Sequence, residues 1–148
     1  MVISDFVRDD QQTAGAILEL QRTTHALLHA LGRDLAGLRI SNSETNVLAV
    51  LADGRSRTVG ELGGATGTRP TTLTSVLDRL ESRGFVAREV DPEDRRSFAI
   101  RLTADGRKVA ALAGAAVRHL EETALAGVSD RQLAGFRAVL HALTEASR

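Results

Sequence analysis

From Thr68 to Thr103 the chain runs TRPTTLTSVLDRLESRGFVAREVDPEDRRSFAIRLT, and this stretch decides the fold. Pro70 falls in the first turn of a helix, where its missing N–H costs nothing. Leu73, Val76, Leu77 and Leu80 then recur at i, i+3, i+4 and i+7, which makes one apolar face. Thr71, Ser75, Asp78 and Ser82 lie opposite that face, flanked by Thr72, Thr74 and Arg79. Gly84 stops the helix. Phe85–Val90 reads as a strand, Asp91-Pro92-Glu93-Asp94 as a turn, and Ser97–Leu102 as the return strand with Phe98, Ile100 and Leu102 on one face. Thr103-Ala-Asp-Gly opens another helix. A helix that feeds straight into a hairpin tipped by adjacent arginines is the arrangement of a winged helix. Its helix enters the major groove of DNA and its hairpin tip reaches a neighbouring minor groove.

Upstream, two short helices are each announced by a capping box. Ser41 with Glu44 precedes the apolar Val47, Leu48, Val50 and Leu51, and Asp53-Gly54 ends that segment. Thr58 with Glu61 starts the next helix, with Leu62 and Ala65 pointing inward, and Gly67 supplies the tight turn of a helix-turn-helix. The N-terminal helix spans roughly residues 11–38, with Ile17, Leu20, Thr24, Leu27, Leu31 and Leu38 at alternating spacings of three and four and only Asp34 breaking the seam. Downstream, a helix over about 104–125 places Val109, Leu112, Ala116, Leu120 and Ala124 in register, and Ser129 caps a last helix carrying Leu133, Phe136, Val139, Leu140 and Leu143. The expected fold class is mostly α with a small β-hairpin wing (α+β). Residues 41–102 form the winged helix-turn-helix lobe, and residues 1–40 and 103–148 form a helical dimerisation lobe. The outer helices carry more apolar surface than a small winged domain buries, and a shared dimer lobe covers it economically.

Composition narrows the function. The four phenylalanines are the only aromatic residues, too few for a stacking platform for single-stranded nucleic acid. Without cysteine there is no disulfide, thiolate metal site, cysteine nucleophile or thiol redox switch. The N-terminus lacks the basic and apolar segments of a signal peptide, and Val109–Val117 is too short to span a bilayer, so the expected setting is cytoplasmic, with no membrane partner. No glycine loop has a phosphate-cradling pattern and no Ser, His and Asp stand in a recognisable catalytic setting, so no enzymatic activity and no cofactor are expected. Formal net charge is zero, and residues 53–101 carry nine Arg against eight acids. DNA binding must therefore rest on a few placed arginines and a dimer's doubled contact rather than on bulk charge.

With these residues in view, the chain resembles the MarR family of bacterial transcriptional regulators over nearly its whole length. The family's wing shows Asp-x-Arg, a small residue, and a Leu-x-Leu-Thr-like ending into the next helix. The corresponding residues here are Asp94-Arg95-Arg96-Ser97-Phe98-Ala99-Ile100-Arg101-Leu102-Thr103, followed by Ala-Asp-Gly-Arg. Leu77–Val86 is similar to the family's recognition helix and its exit, while Ile100 stands where Leu or Val is usual. The resemblance implies a homodimeric winged-helix repressor or activator, commonly relieved by small, often phenolic, ligands.

The candidate DNA-binding residues are Arg57, Arg69, Thr71, Thr72, Ser75, Arg79, Asp94, Arg95 and Arg96. Thr71, Thr72 and Ser75 are small hydroxyl side chains that approach base edges closely, and Arg69 suits a phosphate or a guanine. Arg95 and Arg96 are either solvated turn residues or minor-groove contacts, and their place at a hairpin tip beside a hydroxyl-faced helix favours contact. Asp94 braces Arg96 by a charge-assisted hydrogen bond, a pairing the resemblance also leads one to expect. Arg79, within Leu-Asp-Arg-Leu-Glu, either contacts DNA or binds nearby carboxylates and holds the domain together, and Arg55 and Arg57 precede a capped helix that phosphates can approach. His25 and His29, one turn apart, suit partly buried interface histidines or the polar lining of a ligand pocket better than a metal site, which needs further ligands. The reading is a sequence-specific, homodimeric DNA-binding regulator of a pseudo-palindromic operator on double-stranded DNA, modulated by an unknown small-molecule effector. Its rivals are a metal-responsive regulator of the same fold and a winged-helix protein-interaction module that does not bind DNA.

Overall fold

The computed structural model describes residues 15–90 and 98–147. The helices are α1 (Ala16–Asp34), α2 (Asn42–Leu51), α3 (Val59–Thr66), α4 (Pro70–Ser82), α5 (Ala104–Ala124) and α6 (Asp130–Ala146). The strands are β1 (Arg57–Thr58), β2 (Val86–Val90) and β3 (Phe98–Leu102), in an antiparallel sheet of order β1-β3-β2. The chain packs as two compact units, Met1–Ala116 and Val117–Arg148. No helix among the described residues is long and apolar enough to cross a membrane.

In the first unit the core is built by the periodicity of the short helices. Leu73, Val76, Leu77 and Leu80 of α4 are all buried, together with Val47, Leu48 and Leu51 of α2, Leu62 of α3, and Val86, Ile100 and Leu102 of the hairpin. Both capping boxes form: Ser41 Oγ accepts from the Glu44 N–H while Glu44 accepts from the Ser41 N–H, and Thr58 and Glu61 repeat the exchange. Gly67 takes a left-handed φ of 64° and turns α3 towards α4. At the far end of α4, Gly84 (φ 73°) donates to Glu81 O and Phe85 donates to Leu80 O, the paired bonds of a Schellman stop.

Several details depart from the sequence reading. The N-terminal helix ends at Asp34, and residues 36–38 tighten into a 3₁₀ turn that closes with Arg39 at a left-handed φ of 52°. Residues 11–14, its expected start, lie outside the described residues. Ala65 is exposed rather than inward, because Leu62 alone fills the inner side of α3, while Gly63 lies close to Leu73 of α4. The buried line of α5 is Gly106, Ala110 and Ala113, and Leu112 is 56% exposed. Small residues are needed there: a Cβ on Gly106 would stand 1.8 Å from Phe85 O. Phe98 shares a face with Ile100 and Leu102, but it is 54% exposed because the hairpin runs past the edge of the core.

The second unit is the end of α5 and the whole of α6, joined by a turn in which Ser129 and Gln132 form a third capping box. None of its helical residues is fully buried, and Phe136 and Val139 are exposed by 50% and 57%. Likewise α1 buries no residue and exposes Ile17, Leu18, Leu27 and Leu28.

Candidate nucleic-acid interface

The outward face of α4 is set by its inward one. With Leu73, Val76, Leu77 and Leu80 committed to the core, Thr71, Thr72 and Ser75 are exposed near the helix N-terminus. Ser75 Oγ donates to Thr72 O at 2.8 Å and Thr74 Oγ1 to Pro70 O at 3.0 Å, which holds both hydroxyls against the helix backbone. Among the described residues, the hydroxyls of Thr71 and Thr72 have no partner. Arg69 is the N-cap residue of α4 and makes no side-chain cap bond. It is exposed at the positive end of the helix dipole. This end of α4 is therefore free of acidic side chains and carries several unused donors.

Arg79, towards the other end, is half-exposed and reaches a buried carboxylate on α2. Its Nε lies 3.4 Å from Glu44 Oε1, and Glu44 is only 4% exposed. Burial alone would raise the Glu44 carboxyl. Hydrogen bonds from Ser41, together with the charge of Arg79, more than offset this and hold it below its ordinary range. Arg79 thus links α4 to α2 while half of its side chain stays exposed. Arg57 is likewise engaged, donating to both Asp53 oxygens at 2.8 and 2.6 Å. Those bonds, followed by the Arg55 N–H, hold Asp53 well below the usual carboxylate range, and the same pairing raises Arg57. Asp94, Arg95 and Arg96 lie outside the described residues.

Two arginines that the sequence reading missed are placed beside these. Arg83, at the C-cap of α4, donates to Arg39 O at 2.6 Å and Leu38 O at 2.9 Å while its guanidinium lies 4.7 Å above the Phe85 ring centroid. Arg88 of β2 reaches back to Asp78 and Glu81 of α4. Their partners are 10 to 45 residues away or across a turn, so no local pattern announces them.

His25 and His29 are exposed on α1 and line an open groove with Leu28, Arg33 and Asn42. Asn42 Nδ2 donates to Leu28 O at 3.5 Å, while its Oδ1 is buried without a partner. The groove is thus lined by two imidazoles and a guanidinium, with the unpartnered Asn42 Oδ1 enclosed beneath its wall. Among the described residues, no group of three His, Cys, Asp or Glu is placed to hold a metal ion.

Comparison with known proteins places this geometry. Residues 40–98, which take in the helix-turn-helix and most of the hairpin, match the model of the MarR family. The HTH-type transcriptional repressor Mb2911 of Mycobacterium bovis is 30% identical over 124 residues, covering 84% of this chain and 89% of that protein. An uncharacterized HTH-type transcriptional regulator of Bacillus subtilis, YcgE, is 34% identical over 90 residues, 61% of this chain and 57% of YcgE. For YcgE and several other curated relatives the match spans about half or less of their length. Among solved structures, CouR of Rhodococcus jostii bound to p-coumaroyl-CoA superposes with a TM-score of 0.76 at 28% identity over 84% of this chain and 87% of CouR. CouR bound to a 23-mer DNA duplex superposes with a TM-score of 0.70 at 27% identity, over 88% and 90%. The capped helix-turn-helix, the hairpin that leaves its second helix, and a repressor matched over most of both lengths agree: the chain belongs to the MarR family.

Proposed function

We propose that this chain is a homodimeric, sequence-specific DNA-binding transcriptional repressor whose grip on its operator is set by a small-molecule ligand, and that it has no enzymatic activity. The observation that carries the reading is the N-terminal half of α4, where Arg69, Thr71, Thr72 and Ser75 stand exposed on a helix whose other face is locked into the core. Thr71, Thr72 and Ser75 read base edges in the major groove, and Arg69 holds phosphate or guanine. Arg95 and Arg96 reach the minor groove with Asp94 bracing Arg96, while Arg57, which also closes the loop before α3 through Asp53, and Arg79, which also links α4 to Glu44, add contacts beside them.

Dimerisation uses residues 1–40 and 103–148, and residues 41–102 grip DNA. The exposed apolar side chains of α1 and α6, such as Ile17, Leu27, Phe136 and Val139, are the surface a second copy covers. The relative Mb2911 is named a repressor and CouR has been solved with DNA and with an acyl-CoA, which supports this reading. The effector occupies the groove lined by His25 and His29. It alters DNA binding only to the extent that it binds one spacing of the two recognition helices better than another. The setting is the cytoplasm.

The test is operator geometry. Two recognition helices related by a two-fold axis need half-site centres about 10 base pairs apart. Inserting about 5 base pairs at the centre of a selected pseudo-palindromic duplex turns one half-site to the opposite face, and affinity should fall to the non-specific level. A full-turn insertion separates the half-sites by roughly a further 34 Å and should fail as well. If spacer length proves immaterial, each subunit binds alone and the dimeric reading is wrong.

A further inference from the structure

The hairpin leaves the core quickly. Along one face of β2, Val86 is buried, Arg88 is one-third exposed at its side chain, and Val90 is 54% exposed. Val90 pairs with Phe98, also 54% exposed, so the last described pair of the hairpin has no core beneath it. Between the two lies Arg88. Its Nη2 bonds to Asp78 Oδ1 and its Nε lies 3.2 Å from Glu81 Oε2. One planar guanidinium thus spans two carboxylates a turn apart on α4, while its own backbone is fixed opposite the fully buried Ile100. Among the described residues, it is the outermost polar link between β2 and α4.

We propose that Arg88 is a positioning residue that sets the direction of the hairpin relative to the recognition helix, so that both reach DNA in one geometry. The proposal rests on the DNA-binding reading of α4 and the hairpin given above. A strand rises about 3.3 Å per residue, so a small rotation at Arg88 is magnified with every residue towards the tip. The same contact has an electrostatic side. Asp78 is one turn beyond Ser75 on the outward face of α4, where a bare carboxylate would repel the phosphate backbone. Arg88 compensates that charge, and the two roles predict different outcomes when the carboxylates are removed together with it.

The experiment uses the full chain and the tightest duplex recovered by selection from a random-sequence pool. Affinity is read by fluorescence anisotropy, and hairpin order by hydrogen exchange of the amides of 88–90 and 98–100. Arg88→Ala should weaken binding to the selected duplex about tenfold, the scale of one lost specific contact, while binding to a scrambled duplex changes little. The melting temperature should shift little, since exposed ion pairs contribute little to stability, and the hairpin amides should exchange faster. Arg88→Lys should rescue only part of the affinity, because an ammonium cannot span both carboxylates. The triple variant Arg88→Ala, Asp78→Asn, Glu81→Gln should stay as weak as Arg88→Ala alone. Its return to wild-type affinity would assign Arg88 to charge neutralisation and overturn the positioning role, as would unchanged affinity in Arg88→Ala. If selection yields no preferred duplex, the DNA-binding reading itself fails. The exchange data still judge the tether, and unchanged exchange in Arg88→Ala overturns it.

Discussion

Replacing Gly106 by alanine separates two effects of opposite sign. Glycine inside a helix costs about 1 kcal/mol relative to alanine, so helix propensity alone makes Gly106→Ala stabilising. The structure says otherwise. The new Cβ would lie 1.8 Å from Phe85 O and 2.8 Å from Phe85 C, both backbone atoms that no side-chain rotation can clear. A carbon and a carbonyl oxygen settle at roughly 3.3 Å, so α5 and the Phe85 peptide must part by about 1.5 Å. That movement strains the bonds that dock the start of α5, Thr103 N–H to Phe85 O at 3.0 Å and Gly106 N–H to Thr103 Oγ1 at 3.0 Å. Overpacking of this kind costs about 1–3 kcal/mol, and each weakened hydrogen bond about 1 kcal/mol more. After the propensity gain is subtracted, the net loss is about 2–4 kcal/mol, or about 5–15 °C in melting temperature for a chain of this size. Gly64→Ala is the control. Nothing lies within 4 Å of its Cβ, so it should gain about 0.5–1 kcal/mol. Thermal and urea unfolding followed by circular dichroism measure both. A Gly106→Ala protein as stable as wild type, or more stable, refutes the packing argument.

Other expectations concern single contacts. The Glu44 carboxyl is lowered in the folded chain, so the stability it contributes is present above its unfolded value of about 4.5 and is lost as pH falls through the lower folded value. Glu44→Gln should cost about 1–2 kcal/mol at pH 7, and in urea titrations from pH 5 down to pH 3 its stability should fall less steeply than that of wild type. Arg96→Ala should weaken operator binding by about 1–3 kcal/mol per half-site with little change in melting temperature, and unchanged affinity would mean that the hairpin tip does not touch DNA. Substituting Thr71 or Ser75 should change which sequences a selection recovers more than it changes the overall affinity.

What the sequence disclosed, and what it hid, divides along physical lines. The three capping boxes are reciprocal bonds between residues three apart, and Ser41, Thr58 and Ser129 all cap as their spacing requires. The face of α4 was equally plain, because four apolar side chains at helical spacing leave Thr71, Thr72 and Ser75 nowhere to go but outward. Strand β1 was missed because two residues, Arg57 and Thr58, carry no alternation of their own and become a strand only by pairing with Ile100 and Ala99. Leu112 misled because the buried line of α5 is Gly106, Ala110 and Ala113, and at Gly106 the close approach of Phe85 O, rather than hydrophobicity, selects the residue. The partners of Arg79, Arg83 and Arg88 are set by tertiary geometry, which local pattern does not encode.

The central claim is that a near-neutral chain grips DNA through a few placed contacts on two symmetry-related subunits. The most direct test is an anisotropy titration of the full chain against the DNA flanking its own gene and against a scrambled duplex of equal length, at about 50 and 200 mM salt. Counterion release makes both affinities fall with salt, by an amount that reports how many phosphates are contacted. The account predicts a flanking site that saturates at two chains per duplex, keeps a preference of at least about a thousandfold over the scrambled duplex at both salts, and shows a shallow salt slope because few arginines face the phosphates. Equal affinity for the two duplexes, or binding to neither, would contradict it.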